Sequence, residues 1–104
     1  MILLSVNKFL LELLLLNQMS LQDTYGYELA TRVISGIEIA SGRIYSSLRS
    51  LNRRGMIIRE SKIVNGKVRI YYSITTEGDV YRQNLQRQLE REATVLKELI
   101  LWKR

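Results

Sequence analysis

Residues 41–74 read SGRIYSSLRSLNRRGMIIRESKIVNGKVRIYYSI, and this stretch decides the fold of the 104-residue chain. Its first part carries an apolar stripe at the i, i+4, i+7 spacing of an amphipathic helix, made of Ile44, Leu48 and Leu51. Ser41 is a good N-cap, and Gly55 stands where a left-handed residue ends many helices. The pattern therefore predicts a central helix from Ser41 to Arg54.

The second part of the stretch predicts a β-hairpin. Residues 56–64 and 67–74 are rich in β-branched and aromatic side chains, and Asn65-Gly66 between them is a strong two-residue turn signal. Such a turn pairs residues whose numbers sum to 131, so Lys62 should face Arg69. One face should pack inward, with Val68, Ile70, Tyr72 and Ile74. Because like charges directly opposite destabilise a hairpin, a phosphate backbone would offset the Lys62 and Arg69 pair.

The positive charge of the chain is concentrated in the same region. Residues 37–74 hold eight basic and two acidic side chains, so their net charge equals the +6 of the whole chain. A helix and a hairpin that share a concentrated positive charge are what a winged helix-turn-helix presents to double-stranded DNA.

Further elements are expected before this region. Residues 6–18 are apolar nearly all round, which indicates a first helix that is buried on more than one side. Asp23 or Thr24 is expected to cap a short helix over residues 26–34, and residues 37–40 to form a short strand.

A long final helix is predicted from a cap at Thr75 or Thr76 to about Trp102. One face of it is apolar, with Leu85, Leu89, Ala93, Leu96, Leu99, Ile100 and Trp102. Such a stripe needs a partner, and so long a helix exceeds what a small winged domain covers. We therefore expect a homodimer and a mainly α fold with a small β-hairpin. A winged helix-turn-helix DNA-binding domain (1–75) and a C-terminal dimerisation helix (76–104) would form one structural unit.

The candidate DNA contacts lie on the central helix and the hairpin. We interpret one helix face as opposite the apolar stripe: Arg43, Ser46, Ser47, Ser50 and Arg54. Small hydroxyl side chains let a helix sit deep in the major groove, and an arginine in the first turn reaches a guanine edge or a phosphate. On the hairpin, Lys62, Lys67 and Arg69 should project outward. The alternative is a solvated helix face and an edge strand guarded by lysines.

Other function classes have little support. The chain has no cysteine and no histidine, which excludes zinc sites built on these residues, cysteine nucleophiles and histidine-based triads. No acid–base pair stands out, so we expect neither an enzyme nor a cofactor. The apolar run over residues 9–16 is interrupted by Glu12 and is too short to span a bilayer, and no signal-peptide cleavage site follows it. We expect a cytoplasmic protein with no membrane contact.

Three segments of the chain form a recognisable set. They are Tyr25-Gly26-Tyr27-Glu28-Leu29, then Gly42-Arg43-Ile44-Tyr45 with Leu48, Leu51 and Gly55-Met56-Ile57, then Tyr71-Tyr72-Ser73-Ile74-Thr75 with Gly78. In order and spacing they resemble the PadR-like family of bacterial and archaeal transcriptional regulators, over roughly residues 9–78. The resemblance implies a winged-helix homodimer that represses transcription. It also implies DNA contacts from the helix start and the wing, through Ser41, Gly42, Arg43, Lys62, Lys67 and Arg69.

Two positions depart from the family's pattern. The family usually has proline after the tyrosine of the central helix, where this chain has Ser46. Drug-binding members resemble one another in a central tryptophan on the last helix, and Leu89 stands at that position here. A small apolar effector between the final helices of a dimer would lack its stacking residue, so planar cationic dyes should bind poorly.

The sequence thus predicts a sequence-specific DNA-binding transcriptional regulator, a repressor that acts as a homodimer on an inverted-repeat operator. One alternative is a winged-helix module that binds an acidic protein, which salt-sensitive retention by DNA would distinguish. A second alternative is an RNA-associated basic protein. It is disfavoured because Tyr71 is the only tyrosine expected on the exposed hairpin face, and base stacking usually needs more aromatic side chains.

Overall fold

The computed structural model describes residues 7–21, 24–25 and 39–102. The described residues form three helices and three strands: α1 (Lys8–Leu21), β1 (Thr24–Tyr25), α2 (Ser41–Arg53), β2 (Ile57–Val64), β3 (Lys67–Ile74) and α3 (Thr76–Leu101). α2 is the predicted central helix, β2 and β3 form the predicted hairpin, and α3 is the predicted final helix. The fold is therefore mainly α with a small β-sheet, as predicted.

α1 packs against α2, β3 and α3 and is buried on more than one side, as predicted. The side chain of Asn7 accepts a hydrogen bond of 2.8 Å from the backbone N–H of Leu10 and so caps the helix. The helix runs three residues past its predicted end, to Leu21. One apolar cluster joins α1 to α2 and the sheet, with Leu11, Leu15, Leu16, Met19, Ile44, Leu48, Leu51, Ile57 and Tyr72 buried.

The two ends of α2 are capped in different ways. The N-cap is Ala40, without a side-chain hydrogen bond, and Ser41 lies one residue inside the helix, so the predicted cap at Ser41 is wrong. At the other end Gly55 has a φ of +77°. The N–H groups of Gly55 and Met56 donate to carbonyls of the last turn at 3.1 and 2.9 Å. This is the Schellman arrangement that glycine favours, and it turns the chain directly into β2.

The hairpin has the predicted register and turn. β2 and β3 pair antiparallel with Lys62 opposite Arg69. Asn65 and Gly66 have φ values of +52° and +75°. Positive φ at both central residues is what a type I′ turn requires, and this turn matches the twist of the two strands.

The predicted inward face of the hairpin is only partly buried. Tyr72 belongs to the core, and Ile70 and Ile74 pack against it. Val68 is 69% exposed, and Ile63 opposite it is 78% exposed, so the prediction that Val68 packs inward is wrong. The alternation of side chains continues to the tip of the hairpin, but the core beneath it ends earlier.

β1 pairs antiparallel with β3 and completes a three-stranded sheet in the order β1-β3-β2. Thr24 lies opposite Tyr72 in this sheet. The predicted helix cap at Asp23 or Thr24 belongs to a helix that the structure does not describe, so it stays a prediction. The predicted helix over residues 26–34 lies outside the described residues. Of the predicted strand over residues 37–40, only residues 39–40 are described, and they are not in a strand.

α3 begins as predicted. Oγ1 of Thr75 accepts a hydrogen bond of 3.0 Å from the N–H of Gly78 and caps the helix. A Cβ atom on Gly78 would lie 1.9 Å from the carbonyl oxygen of Met56, so only glycine permits this approach of α3 to the start of the hairpin. The first half of α3 packs on α1, whereas residues 91–102 are all exposed. None of the helices in the described part of the chain has the length and apolar content of a membrane span.

Candidate nucleic-acid interface

The outer face of α2, opposite its buried stripe, is open to solvent. Arg53 lies nine residues, or two and a half turns, after the buried Ile44, and so points away from the core. Gly42, Ser46 and Arg49 share this face, and all four residues are exposed. Arg49 and Arg53 were not among the predicted contacts, although the helical period of 3.6 residues alone places them there.

Two predicted contacts lie on the flank of α2 rather than on its outer face. Ser47 and Ser50 are half-buried and line a groove toward α1, together with Lys8 and Glu12. Ser47 follows Ile44 by three residues, which is nearly a full turn, so the helix places it on the flank of the core stripe and not opposite it. The prediction of one serine-rich face opposite the stripe is therefore wrong. Contact of these serines with DNA stays a prediction.

Arg54, the last predicted contact on this helix, is held by a buried carboxylate. Its Nη2 donates a hydrogen bond to Oε2 of Glu12, a residue with no exposed surface, and the hydroxyl of Tyr81 donates to Oε1 of the same carboxylate. The guanidinium carbon of Arg54 also lies 5.4 Å from the centroid of the Tyr81 ring. These contacts join α1, the end of α2 and α3, a structural role for Arg54 that the sequence did not predict.

The electrostatics of this cluster favour the charged arginine. Burial opposes the charge of Arg54, but hydrogen bonds and charge interactions with Tyr81 and Glu12 outweigh it and raise its pKa. Burial, and then the hydrogen bond to Glu12, raise the pKa of the Tyr81 hydroxyl. Arg54 therefore stays protonated beside Glu12, and Tyr81 stays a donor at neutral pH.

The solvent face of the hairpin carries the predicted wing cations. Pairing and alternation put Lys62, Lys67 and Arg69 on the face that points away from the core. Lys62 and Lys67 are exposed, and Arg69 is half-buried. Nζ of Lys62 lies 4.7 Å from the centroid of the Tyr71 ring. This cation–π contact stabilises the hairpin despite the like charges of Lys62 and Arg69.

The predicted dimer stripe on α3 divides into two parts. Leu85 is 4% exposed and Leu89 is half-buried, so Leu85 has little surface left for a partner. The other predicted residues lie in residues 91–102, which we name the distal arm, and all are exposed: Ala93, Leu96, Leu99, Ile100 and Trp102. Leu96 is 59% exposed and Trp102 is 71% exposed. The distal arm thus presents a run of exposed apolar side chains.

An open apolar groove of about 650 Å³ lies between the start of α1 and the distal arm. Leu10, Leu89, Leu96 and Leu99 are among the described residues that line it. The groove offers room for the predicted small apolar effector, whose binding stays a prediction. The described residues contain no group of three or more carboxylates that could hold a metal ion.

Comparison with known proteins agrees with this architecture. The family model of the transcriptional regulator PadR-like family matches residues 15–84. A PadR-like transcriptional regulator from Bacillus cereus strain ATCC 14579 is 26% identical, with a TM-score of 0.80 over 92% of this chain and 96% of that one. A PadR family transcriptional regulator from Eggerthella lenta DSM 2243 is also 26% identical, with a TM-score of 0.79 over 89% and 83%. Comparison with curated protein sequences gave no match.

A further solved structure supports the fold alone. A protein from Streptococcus mutans UA159 is 22% identical, with a TM-score of 0.84 over 95% of this chain and 93% of that one. The match extends through α3 as well as the basic region, so the predicted winged helix with a long final helix is confirmed. The chain belongs to the PadR-like family of DNA-binding transcriptional regulators.

Proposed function

We propose that the chain is a transcriptional repressor that binds an inverted-repeat operator as a homodimer. The observation that carries the proposal is the concentration of positive charge. Residues 37–74 have a net charge equal to the +6 of the whole chain. Exposed cations from this segment lie on the outer face of α2 and on the solvent face of the hairpin. Phosphate contacts dominate affinity for DNA, and a helix in the major groove reads base edges.

α2 would supply the reading surface. Arg43 is exposed in its first turn, where helix-turn-helix proteins contact base edges. A Cβ atom added to Gly42 would meet nothing within 4 Å, so the backbone there is open to a close approach. Farther along the same helix, Arg49 and Arg53 are exposed and are placed to meet phosphates on either side of the groove. Arg54 would not take part, because Glu12 holds its guanidinium.

The hairpin would anchor the protein to the sugar-phosphate backbone of the DNA. Lys62, Lys67 and Arg69 lie on one face of the hairpin, and Lys67 directly follows its two-residue turn. Cations at such a position contact phosphates, which fix the register of the protein on the duplex without reading sequence.

A second copy of the chain would cover the distal arm. Exposed apolar patches of this kind mark an interaction surface or an aggregation hazard. Burial of Leu96, Leu99 and Trp102 against a partner would remove that hazard. A two-fold dimer would set two α2 helices into successive major grooves, roughly 34 Å apart, which predicts an inverted repeat. A dimer seated on a promoter in this way excludes other proteins from it, which is the simplest route to repression.

Selection of bound sequences from random DNA, followed by two substitutions, tests this proposal. Lys67→Ala should weaken binding to selected and scrambled duplexes alike and flatten the salt dependence by about one unit for each phosphate that the protein no longer neutralises. Arg43→Ala should instead relax the preference at one base pair per half-site, at a cost of roughly 1–3 kcal/mol. Selection that enriches no sequence, or an identical effect of the two substitutions, would contradict the proposal.

A further inference from the structure

A groove of about 450 Å³ runs between the start of α1 and the flank of α2. The described residues that line it include three cations and three hydroxyls: Lys8, Arg43, Arg53, Ser46, Ser47 and Ser50. Ser46 and Arg53 also belong to the outer face of α2. The groove therefore adjoins the surface proposed to read DNA, and it adds a residue from α1 to that surface.

The charge of the groove is positive because its acidic residue is already balanced. Glu12 is the only carboxylate among the described residues that line the groove. Its two oxygens accept hydrogen bonds from Arg54 and Tyr81, and Arg54 supplies the balancing charge. The charges of Lys8 and Arg53 therefore attract an anion into the groove.

A hydroxyl at the wall of the groove is also unsatisfied. Oγ of Ser47 is buried and has no hydrogen-bond partner in the described part of the chain. A buried hydroxyl without a partner is unfavourable, and such groups are usually satisfied by a ligand or by water. A change of rotamer would turn this hydroxyl toward the groove, where an anion oxygen would accept its hydrogen bond.

We propose that the α1–α2 groove is a phosphate-binding site that holds a backbone phosphate of DNA through Lys8 and Arg53. Lysine, arginine and serine are the side chains that supply most contacts to phosphate oxygens. The backbone of DNA is the source of this phosphate because the groove continues into the outer face of α2. This inference rests on the proposed function, since it assigns one part of the same interface.

Lys8→Ala in the full-length protein is the first test. Lys8 is exposed and lies outside the core, so its truncation leaves the fold intact. The substitution should weaken operator binding by about tenfold near physiological salt and flatten the slope of log K against log salt by about two units per dimer. Lys97→Ala removes the same charge from an exposed residue on the polar side of α3 that does not line the groove, and it should change affinity less than about twofold.

Neutral methylphosphonate linkages, placed one at a time along the operator, would then locate the phosphate. One linkage per half-site should weaken binding of the wild-type protein and should weaken binding of Lys8→Ala less, because only Arg53 still contacts that phosphate in the variant. Equal responses of the two proteins at every linkage, or a Lys8→Ala variant that matches Lys97→Ala, would overturn the inference. In that case the proposed function would still stand if the wild-type protein bound the operator with a steep salt dependence. A wild-type protein that bound no DNA would overturn both.

Replacement of chloride by inorganic phosphate at constant ionic strength separates the two sources of this ligand. A backbone site predicts no saturable binding of inorganic phosphate to the wild-type protein without DNA at millimolar concentration, because a single phosphate lacks the other contacts of the duplex. Saturable millimolar binding that Lys8→Ala loses, together with equal responses of the two proteins to every methylphosphonate linkage, would assign the groove to a free phosphate and overturn the assignment to DNA.

Discussion

Two regions of the molecule lie outside the hydrophobic core, and they differ in chemistry. The basic head, which is α2 with the β2–β3 hairpin, exposes cations such as Arg49, Arg53 and Lys67. The distal arm exposes large apolar side chains such as Leu96 and Trp102. Charge at a surface attracts a polyanion, whereas apolar surface gains free energy by leaving water. The contrast indicates two surfaces suited to different partners, which are DNA for the basic head and, as proposed, a second copy of the chain for the distal arm.

The largest expected effect comes from a charge placed in the distal arm. Leu96→Asp would bury an unpaired carboxylate in the dimer interface, at a cost of several kcal/mol, on the order of that for an unpaired buried ion. Sedimentation should show a dimer for the wild-type protein and a monomer or aggregate for the variant. Lys97→Asp puts the same charge on the neighbouring polar side of α3 and should stay dimeric. If Leu96→Asp also stays a dimer, the arm is not the interface.

Substitutions at two adjacent arginines should distinguish a charge that stabilises the fold from a charge that binds DNA. Arg54→Met removes the cation bound to the fully buried Glu12. It should lower the free energy of unfolding by about 2–3 kcal/mol, less than for a fully buried pair because the Arg54 side chain is 35% exposed. Arg53→Met should change that free energy by less than about 0.5 kcal/mol but weaken DNA binding. Urea unfolding measures the first effect, and equal stabilities of the two variants would contradict the assignment.

A smaller effect is expected at alkaline pH, through Tyr81. Its folded-state pKa lies above its ordinary value because of burial and the hydrogen bond to Glu12. The folded protein therefore holds this proton more tightly than the unfolded chain. The resulting stability is fully present below about pH 10, the ordinary value of tyrosine, and is lost as pH rises through the folded-state pKa. Tyr81→Phe should lose stability less steeply than the wild-type protein above about pH 10. If the free energy of unfolding falls with pH in parallel for the two proteins, Tyr81 does not contribute this stability.

Local features of the sequence predicted the local geometry well. Asn65-Gly66 predicted both the turn and the pairing of Lys62 with Arg69, because a two-residue turn determines the register of a hairpin. Gly55 and Thr75 predicted a helix end and a helix start for similar reasons. A strand of two residues, β1, shows no alternation, so no pattern in the sequence could separate it from a helix cap.

Tertiary contacts were not predictable in the same way. Glu12 and Arg54 are 42 positions apart, and only the packing of α1 on α2 makes them partners. Alternation identified the face of Val68 but not how far the core extends beneath the hairpin. The outer face of α2 was predictable, since the position of Arg53 relative to Ile44 follows from the helical period.

The central claim, a dimer that binds DNA through its basic head, is tested most directly by the salt dependence of binding. The full-length protein would be titrated at several salt concentrations with a selected operator duplex and with a scrambled duplex. About five phosphate contacts per subunit, from Arg49, the α1–α2 groove and the three hairpin cations, make about 10 per dimer and predict a slope of log K against log salt of roughly −9. Binding to the operator should also be tighter than binding to the scrambled duplex at every salt concentration. Equal and salt-insensitive affinity for both duplexes, or no binding at low salt, would contradict it and favour a protein partner for the basic head.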